Sequence, residues 1–121
     1  MKKFLLFTFT LCISTVAFGT KFPGSVVAHF YNEAMSIPKG WELVYIGKEL
    51  GVHVFNMKRN FDEHPQSRNM SVKEQMVRLM CNDVTLRNMM AQGIKVRAHS
   101  IDTENTKARK KRGGVLSACP K

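Results

Sequence analysis

The clearest structural signal in the chain is the stretch 41-WELVYIGKELGVHVFNM-57. It contains two runs rich in β-branched and aromatic residues, Trp41 to Ile46 and Val52 to Met57, on either side of the glycine-bounded segment from Gly47 to Gly51. Such runs are typical of strands, and the short segment between them predicts a β-hairpin. Apolar side chains occur on both faces of the two strands, so we expect this hairpin to be partly covered on both sides.

A second alternating segment, from Ile94 to Ile101, predicts a half-buried strand. The alternation places Lys95, Arg97 and His99 on its outer face. A polar turn follows, and the chain then returns toward Cys119. This arrangement predicts a second hairpin in the last third of the chain.

The first predicted helix runs from Val26 to Met35, with Ser25 as its N-cap. Three- and four-residue spacing puts Val26, Val27 and Phe30 on one face, which predicts that this face packs on the core. The Val-Val and Phe-Tyr pairs within the segment also suit a strand, and that alternative stays open at this point.

Two further helices are predicted after residue 70. Ser71 and Glu74 have the spacing of a capping box, in which each residue satisfies a backbone amide of the other. The second helix reaches Cys81, a turn at Asn82-Asp83 separates it from the third, and the third ends at Gly93, a residue typical of helix C-termini.

These elements together predict an α+β domain: an antiparallel sheet of two hairpins with two or three helices packed on it. The polar residues 58–70, between the first hairpin and the second helix, predict a surface loop. A chain of this length supports one hydrophobic core, so residues 20–121 are expected to form a single domain.

The first 19 residues have the composition of a signal peptide. Lys2 and Lys3 give a positive start, Phe4 to Val16 is an apolar run, and Ala17-Phe18-Gly19 supplies small residues for cleavage. An uncleaved anchor is the alternative, but a membrane span needs about 20 apolar residues and this run is shorter. Cleavage predicts a periplasmic or secreted protein.

Two cysteines, Cys81 and Cys119, remain after the predicted cleavage. An even pair in an oxidising compartment indicates one disulfide. A metal-binding or redox pair is the alternative, but the two residues lack the Cys-x-x-Cys spacing that such sites usually have.

The sequence contains no pattern typical of an enzyme or a cofactor site, so we expect no catalytic residues, cofactor or bound metal. Ser100 follows His99 directly, which places the two side chains on opposite faces of a strand. Gly113-Gly114 stands alone, with no helix after it to bind a phosphate. Four histidines are scattered without zinc-motif spacing, namely His29, His53, His64 and His99.

The formal net charge is +10, and loss of Lys2 and Lys3 with the leader still leaves a strongly basic domain. The cations concentrate near the C-terminus. We predict an anion- or partner-binding face formed by Lys95, Arg97, Lys107, Arg109, Lys110, Lys111 and Arg112. The alternative is a charged edge strand that resists aggregation. No aromatic residue lies within this basic segment, which speaks against nucleic-acid binding.

Four methionines occur on the second and third predicted helices. Methionine fills irregular cores and also lines adaptable binding grooves, and core filling is the alternative to a site. If the two helices leave a groove beside the sheet, a partner helix could bind there. The candidate groove residues are Met76, Met80, Met89 and Met90.

The segment from Cys81 to Cys119 resembles the β-class pilotins of type II secretion. The shared pattern is a cysteine at a helix end, an Asn-Asp turn, a short helix that stops at Gly93, an alternating strand, and a last strand that ends on a cysteine. Such pilotins are small periplasmic α/β proteins with one disulfide that bind a C-terminal helix of the outer-membrane secretin. They are also lipoproteins, whereas Cys12 here follows Leu11 inside an apolar run.

Two functions are consistent with the sequence. The first is an exported accessory protein that binds another protein, such as a component of a secretion, pilus or conjugation apparatus in the envelope. The second is a secreted cationic effector that binds an anionic surface of lipid, lipopolysaccharide, glycan or acidic protein through the basic C-terminal strand.

Overall fold

The computed structural model describes residues 22–120, so the predicted leader, residues 1–19, lies outside the described residues. The elements follow in the order α1 (Gly24–Ala34), β1 (Trp41–Glu49), β2 (Val52–Asn60), a 3-10 helix (Pro65–Asn69), α2 (Val72–Asn82), α3 (Val84–Ala91), β3 (Val96–Glu104), β4 (Lys107–Lys111) and β5 (Val115–Leu116).

The strands form one mixed sheet, whereas the sequence predicts an antiparallel one. Its order is β1-β2-β3-β4, and β5 pairs with β3 on the same side as β4. The α+β class and both hairpins are confirmed, and β1–β2 and β3–β4 are each antiparallel. The two hairpins meet through β2 and β3, which run parallel, because the intervening helices α2 and α3 carry the chain back to the starting end of the sheet.

The first hairpin has a tighter turn than the sequence predicts. Leu50 and Gly51, with φ of 50° and 80°, form a two-residue turn between Glu49 and Val52. Gly47, expected in the loop, lies within β1 at a bulge where the register shifts after Tyr45. Its φ of 145° explains why glycine occurs there, since other residues rarely adopt that value.

The face of α1 that packs on the core is not the predicted one, because the helix is rotated about its axis relative to the prediction. Val27 and Tyr31 face the core, whereas Val26 is 66% exposed and Phe30 is 38% exposed. Contacts from distant residues set this rotation. The Tyr31 hydroxyl donates a 2.9 Å hydrogen bond to Gln75 of α2.

The core lies between the sheet and the helices. It combines large buried side chains from β1, β2 and all three helices, among them Tyr31, Leu43, Phe55, Met57, Leu79 and Met80. Burial raises the pKa of the Tyr31 hydroxyl well above its ordinary value, so this group stays neutral and serves as a hydrogen-bond donor.

Residues 58–70 are more ordered than the surface loop predicted from their polarity. Strand β2 continues to Asn60, and Phe61 and Ser67 are buried. The Asn60 side chain accepts hydrogen bonds from the amides of Asp62 and Glu63, which forms a local turn of the kind asparagine favours.

The predicted helix boundaries after residue 70 are confirmed. The Ser71 hydroxyl accepts a hydrogen bond from the Glu74 amide, and the Asp83 carboxylate accepts one from the Leu86 amide. Gly93 ends α3 with φ of 108°. Cys81 and Cys119 form the predicted disulfide, with their Cα atoms 5.7 Å apart.

Candidate functional site

A groove of about 370 Å³ opens between the first half of α2 and the part of the sheet formed by β3, β4 and β5. Its apolar lining comes from three elements. The contributing side chains are Val72 and Met76 of α2, Val96 and Ala98 of β3, Val115 and Leu116 of β5, and Met70 before α2. Since Met76, Val96 and Ala98 are buried, they form the floor of the groove.

The α2 wall of the groove begins at the helix N-cap. The hydrogen bond from the Glu74 amide to the Ser71 hydroxyl fixes the first turn of α2. Lys73 lies in that turn at the rim, and Met76 follows one turn later at the floor. This three-residue spacing places both side chains on one face of the helix.

The opposite wall is formed where the pairing of β3 changes from β4 to β5. Lys111 is the last β4 residue paired with β3, opposite Ser100, and Val115 is the first of β5, opposite Arg97. The Cys81–Cys119 disulfide links the chain just after β5 to α2. The bridge therefore ties the two walls of the groove together.

The rim of the groove is strongly cationic. Six basic side chains line it, namely Arg59, Arg68, Lys73, Arg97, Lys111 and Arg112, and no Asp or Glu is among the described residues that line it. A cleft lined by charges of one sign concentrates its field on the cleft opening. The groove therefore favours an anionic occupant.

Arg59 is held rigidly at one end of the groove. Its guanidinium donates two hydrogen bonds, of 2.6 and 2.7 Å, to the carboxylate of Asp102, the residue opposite it in the parallel β2–β3 register. It also stacks over the rings of Trp41 and Phe61. Arg68 forms a more exposed ion pair with Glu104, through one guanidinium nitrogen, and also lies over the Phe61 ring.

The other four cations of the groove have no acidic partner within 4.0 Å among residues 22–120. Lys73 lies on α2, Arg97 on β3, Lys111 at the end of β4 and Arg112 directly after it. These four charges surround an apolar floor, so they are the ones available to an acidic ligand.

The structure divides the seven predicted basic site residues into two groups. Arg97, Lys111 and Arg112 line the groove. The other four, Lys95, Lys107, Arg109 and Lys110, lie outside the groove lining, and all five β4 residues are exposed. Sequence reasoning missed Arg59, Arg68 and Lys73. Their positions depend on the parallel β2–β3 register and on the start of α2, which no local pattern of charge records.

The four methionines predicted to line a groove are also divided, between the groove and the core. Met76 lines the groove described above. Met80 and Met90 are buried in the core, and Met89 is partly buried against it. The described helices thus place one of the four methionines in the groove.

His99, expected on an outer face, is 7% exposed. Its Nδ1 accepts a 3.1 Å hydrogen bond from the Gly113 amide. Burial lowers the pKa of His99 below its ordinary value, and the nearby cations Lys110, Arg97 and Arg112 lower it further. His99 therefore acts as a neutral structural acceptor beside the groove wall, which sequence alternation does not indicate.

His53 is also buried, and it bonds to a neighbouring side chain. Its Nδ1 lies 2.8 Å from the Tyr45 hydroxyl, and the Phe22 ring packs against the imidazole with centroids 4.5 Å apart. Burial lowers the pKa of His53, with a smaller contribution from Lys48. Across residues 22–120, no group of three or more His, Cys, Asp or Glu residues could hold a metal ion.

None of the three described α-helices combines the length and the apolar character that a membrane span requires. This observation covers residues 22–120 only.

Comparison with known proteins relates the fold to pilotins. No family model matches the chain. No curated protein matches it either. Among solved structures, the chain is similar to the pilotin EpsS of the type 2 secretion system of Vibrio vulnificus, with a TM-score of 0.54 and 14% sequence identity.

The structural similarity extends over 78% of this chain and 84% of the pilotin. It therefore reaches well beyond the Cys81–Cys119 segment that carries the sequence resemblance. The resemblance to pilotins is confirmed at the level of the fold. At this identity the similarity shows the fold alone, because one fold hosts many functions.

Proposed function

We propose that this protein is an exported accessory protein of a secretion apparatus and that it binds another protein in the groove between α2 and β3. The observation that carries the proposal is the groove itself: an apolar floor ringed by cations on a fold shared with a secretion pilotin. The groove volume of about 370 Å³ suits a few side chains of a partner segment.

The partner segment is expected to be both apolar and acidic. Met76, Val96 and Ala98 offer a floor that apolar side chains can bury against. Lys73 and Arg112 at the rim offer charges that carboxylates can pair with, and rim charges of this kind set orientation and association rate more than affinity.

We propose a binding role rather than a catalytic one. The two described histidines with lowered pKa values are both engaged in structural hydrogen bonds, His53 with Tyr45 and His99 with Gly113. Export through the leader is part of the same proposal. It is supported by the disulfide, since such bonds persist in oxidising compartments.

Site-specific photocrosslinking in the producing cells tests this proposal. A photoreactive benzoylphenylalanine replaces Met70, which is exposed and lines the groove, or Val84, which is exposed on α3 and lies outside the groove lining. We expect irradiation to join a secretion-apparatus component to the Met70 variant and not to the Val84 variant. Identical adducts from both positions, or none from Met70, would reject the groove as the binding site.

A second candidate function is binding to an anionic surface through β4. The observation that favours it is that all five β4 residues are exposed and three of its four cations, Lys107, Arg109 and Lys110, lie outside the groove lining. Reversal of Lys107 and Lys110 to glutamate would then abolish binding to vesicles of phosphatidylglycerol, whereas reversal of Lys73 and Arg112 would leave most of it. Equal losses from the two pairs would indicate general charge attraction instead.

A further inference from the structure

The wall of the groove contains a break in the ladder of β3. Lys111 pairs with Ser100 and Val115 pairs with Arg97, so residues 112–114 lie opposite only two residues of β3. An extra residue of this kind is a bulge, and it interrupts regular backbone pairing. The position of the wall therefore depends on whatever holds residues 112–114 to β3.

Two contacts hold this break. Gly113 approaches β3 so closely that a Cβ atom at this position would overlap the carbonyl oxygen of Ala98, so only glycine fits. The Gly113 amide donates its hydrogen bond to Nδ1 of His99, which requires Nδ1 to carry no proton. A side-chain acceptor thus satisfies the amide at the point where the regular ladder is interrupted.

We propose that His99 and Gly113 form a pH-sensitive latch, and that protonation of His99 releases residues 112–114 from β3 and loosens the groove wall. An imidazolium has N–H groups at both ring nitrogens, so it cannot accept from the Gly113 amide. Because residues 112–114 line the groove, release of this segment alters part of the binding surface. This consequence for binding rests on the proposed function, whereas the latch itself belongs to the free protein.

The charges that face His99 set the direction of the effect. Lys110, Arg97 and Arg112 oppose its protonation and Glu49 favours it, while Asn56, its neighbour on β2, is uncharged. Burial is the largest effect, and together these groups keep the pKa of His99 below the ordinary value of 6.5. The folded protein therefore binds the proton less readily than the unfolded chain, and the latch holds at neutral pH and weakens as the pH falls below about 6.5.

Amide hydrogen exchange measured by NMR between pH 4.5 and 8 tests the latch. Protection factors are taken relative to the intrinsic exchange rate at each pH. In the native sequence we expect the protection of Gly113 to fall by about fivefold on acidification, the factor that one ordinary hydrogen bond provides. The β1–β2 ladder, remote from the break, should keep its protection over the same range.

Two variants make the test specific. His99→Asn places an amide oxygen near the position of Nδ1 and does not titrate, so it should protect Gly113 equally at both ends of the range. His99→Ala removes the acceptor and should give low protection at every pH. Protection of the Gly113 amide that does not change with pH in the native sequence would contradict the latch. Loss of that protection at acidic pH in His99→Asn would also contradict it.

The partner plays no part in this exchange measurement. Failure of the latch would therefore leave the Met70 crosslinking result standing, and failure of crosslinking would leave the exchange result standing.

Discussion

The two hairpins of the sheet have similar turns but differ in burial, since both strands of the first contribute to the core and only β3 of the second does. Both turns contain two residues with positive φ, Leu50 and Gly51 in the first and Asn105 and Thr106 in the second. The first hairpin packs large apolar side chains into the core, whereas β4 of the second is exposed along its whole length. The first hairpin thus supplies stability, and the second supplies charge and one wall of the groove.

The outer edges of the two hairpins are also protected differently. At the β1 edge, the Asn32 side chain of α1 bonds to both the amide and the carbonyl of Leu43, each at 2.8 Å, as a neighbouring strand would. At the β4 edge, the cations themselves discourage pairing with another strand. The β1 edge is therefore protected by a side chain that covers it, and the β4 edge by the charge of its own residues.

The largest expected effect is on the buried hairpin. Phe55 is 0% exposed, so Phe55→Ala leaves a cavity that costs about 3–5 kcal/mol in the free energy of unfolding. Lys110→Ala in the exposed hairpin should change the same quantity by less than about 0.5 kcal/mol. Chemical denaturation measures both. A similar cost for the two variants would remove the distinction between the hairpins.

The next largest effect concerns the disulfide. Replacing Cys81 and Cys119 together by alanine removes a bridge with a sequence separation of 38, and such bridges typically contribute about 2–4 kcal/mol. Because the bridge ties β5 to α2, hydrogen exchange should increase most at residues 115–119. Loss of protection spread evenly over both hairpins would show that the bridge does not act on the groove wall.

A smaller effect is expected at the covered edge. Asn32→Ala leaves the Leu43 amide and carbonyl without their side-chain partners, at a cost of about 1–3 kcal/mol. The freed edge should also self-associate at high protein concentration. Thermal unfolding and size-exclusion chromatography report the two effects, with Asn88→Ala on the exposed face of α3 as the control. A variant as stable and as monomeric as the control would mean that Asn32 does not protect the edge.

The smallest effect is at the turn of the exposed hairpin. The Asp62 carboxylate accepts hydrogen bonds from the amides of Thr106 and Asn105, which lower its pKa. A carboxylate whose pKa is lower in the folded protein than in the unfolded chain stabilises the fold at pH values above its unfolded pKa. This contribution is lost as the pH falls through the folded pKa. The Tm difference between the native protein and Asp62→Asn should therefore be present at pH 6 and shrink toward pH 2.5. A difference independent of pH would contradict this role.

Local patterns account for much of the first hairpin and for the helix ends. The β-rich runs marked both strands of this hairpin, and the chemistry of Ser71 and Gly93 marked helix boundaries. These features depend on neighbours in sequence, which is why the sequence reveals them.

The features that sequence reasoning missed depend on distant residues. The rotation of α1 depends on a hydrogen bond between Tyr31 and Gln75, 44 positions apart. The groove depends on the parallel pairing of β2 with β3, which brings Arg59 opposite Asp102. The basic segment was visible in the sequence, but its division between groove and edge follows from the bulge at residues 112–114.

The most direct test of the central claim compares two matched charge reversals. One pair, Lys73→Glu with Arg112→Glu, changes the charge of the groove. The other pair, Lys107→Glu with Lys110→Glu, changes the charge of the exposed strand β4 by the same amount. The measurement is the yield of the adduct formed from benzoylphenylalanine at position 70. We predict that the groove pair lowers this yield at least tenfold while the hairpin pair leaves it within about twofold, because each reversal at the rim replaces attraction to an acidic partner by like-charge repulsion. Equal yields from the two pairs would contradict the assignment of partner binding to the groove.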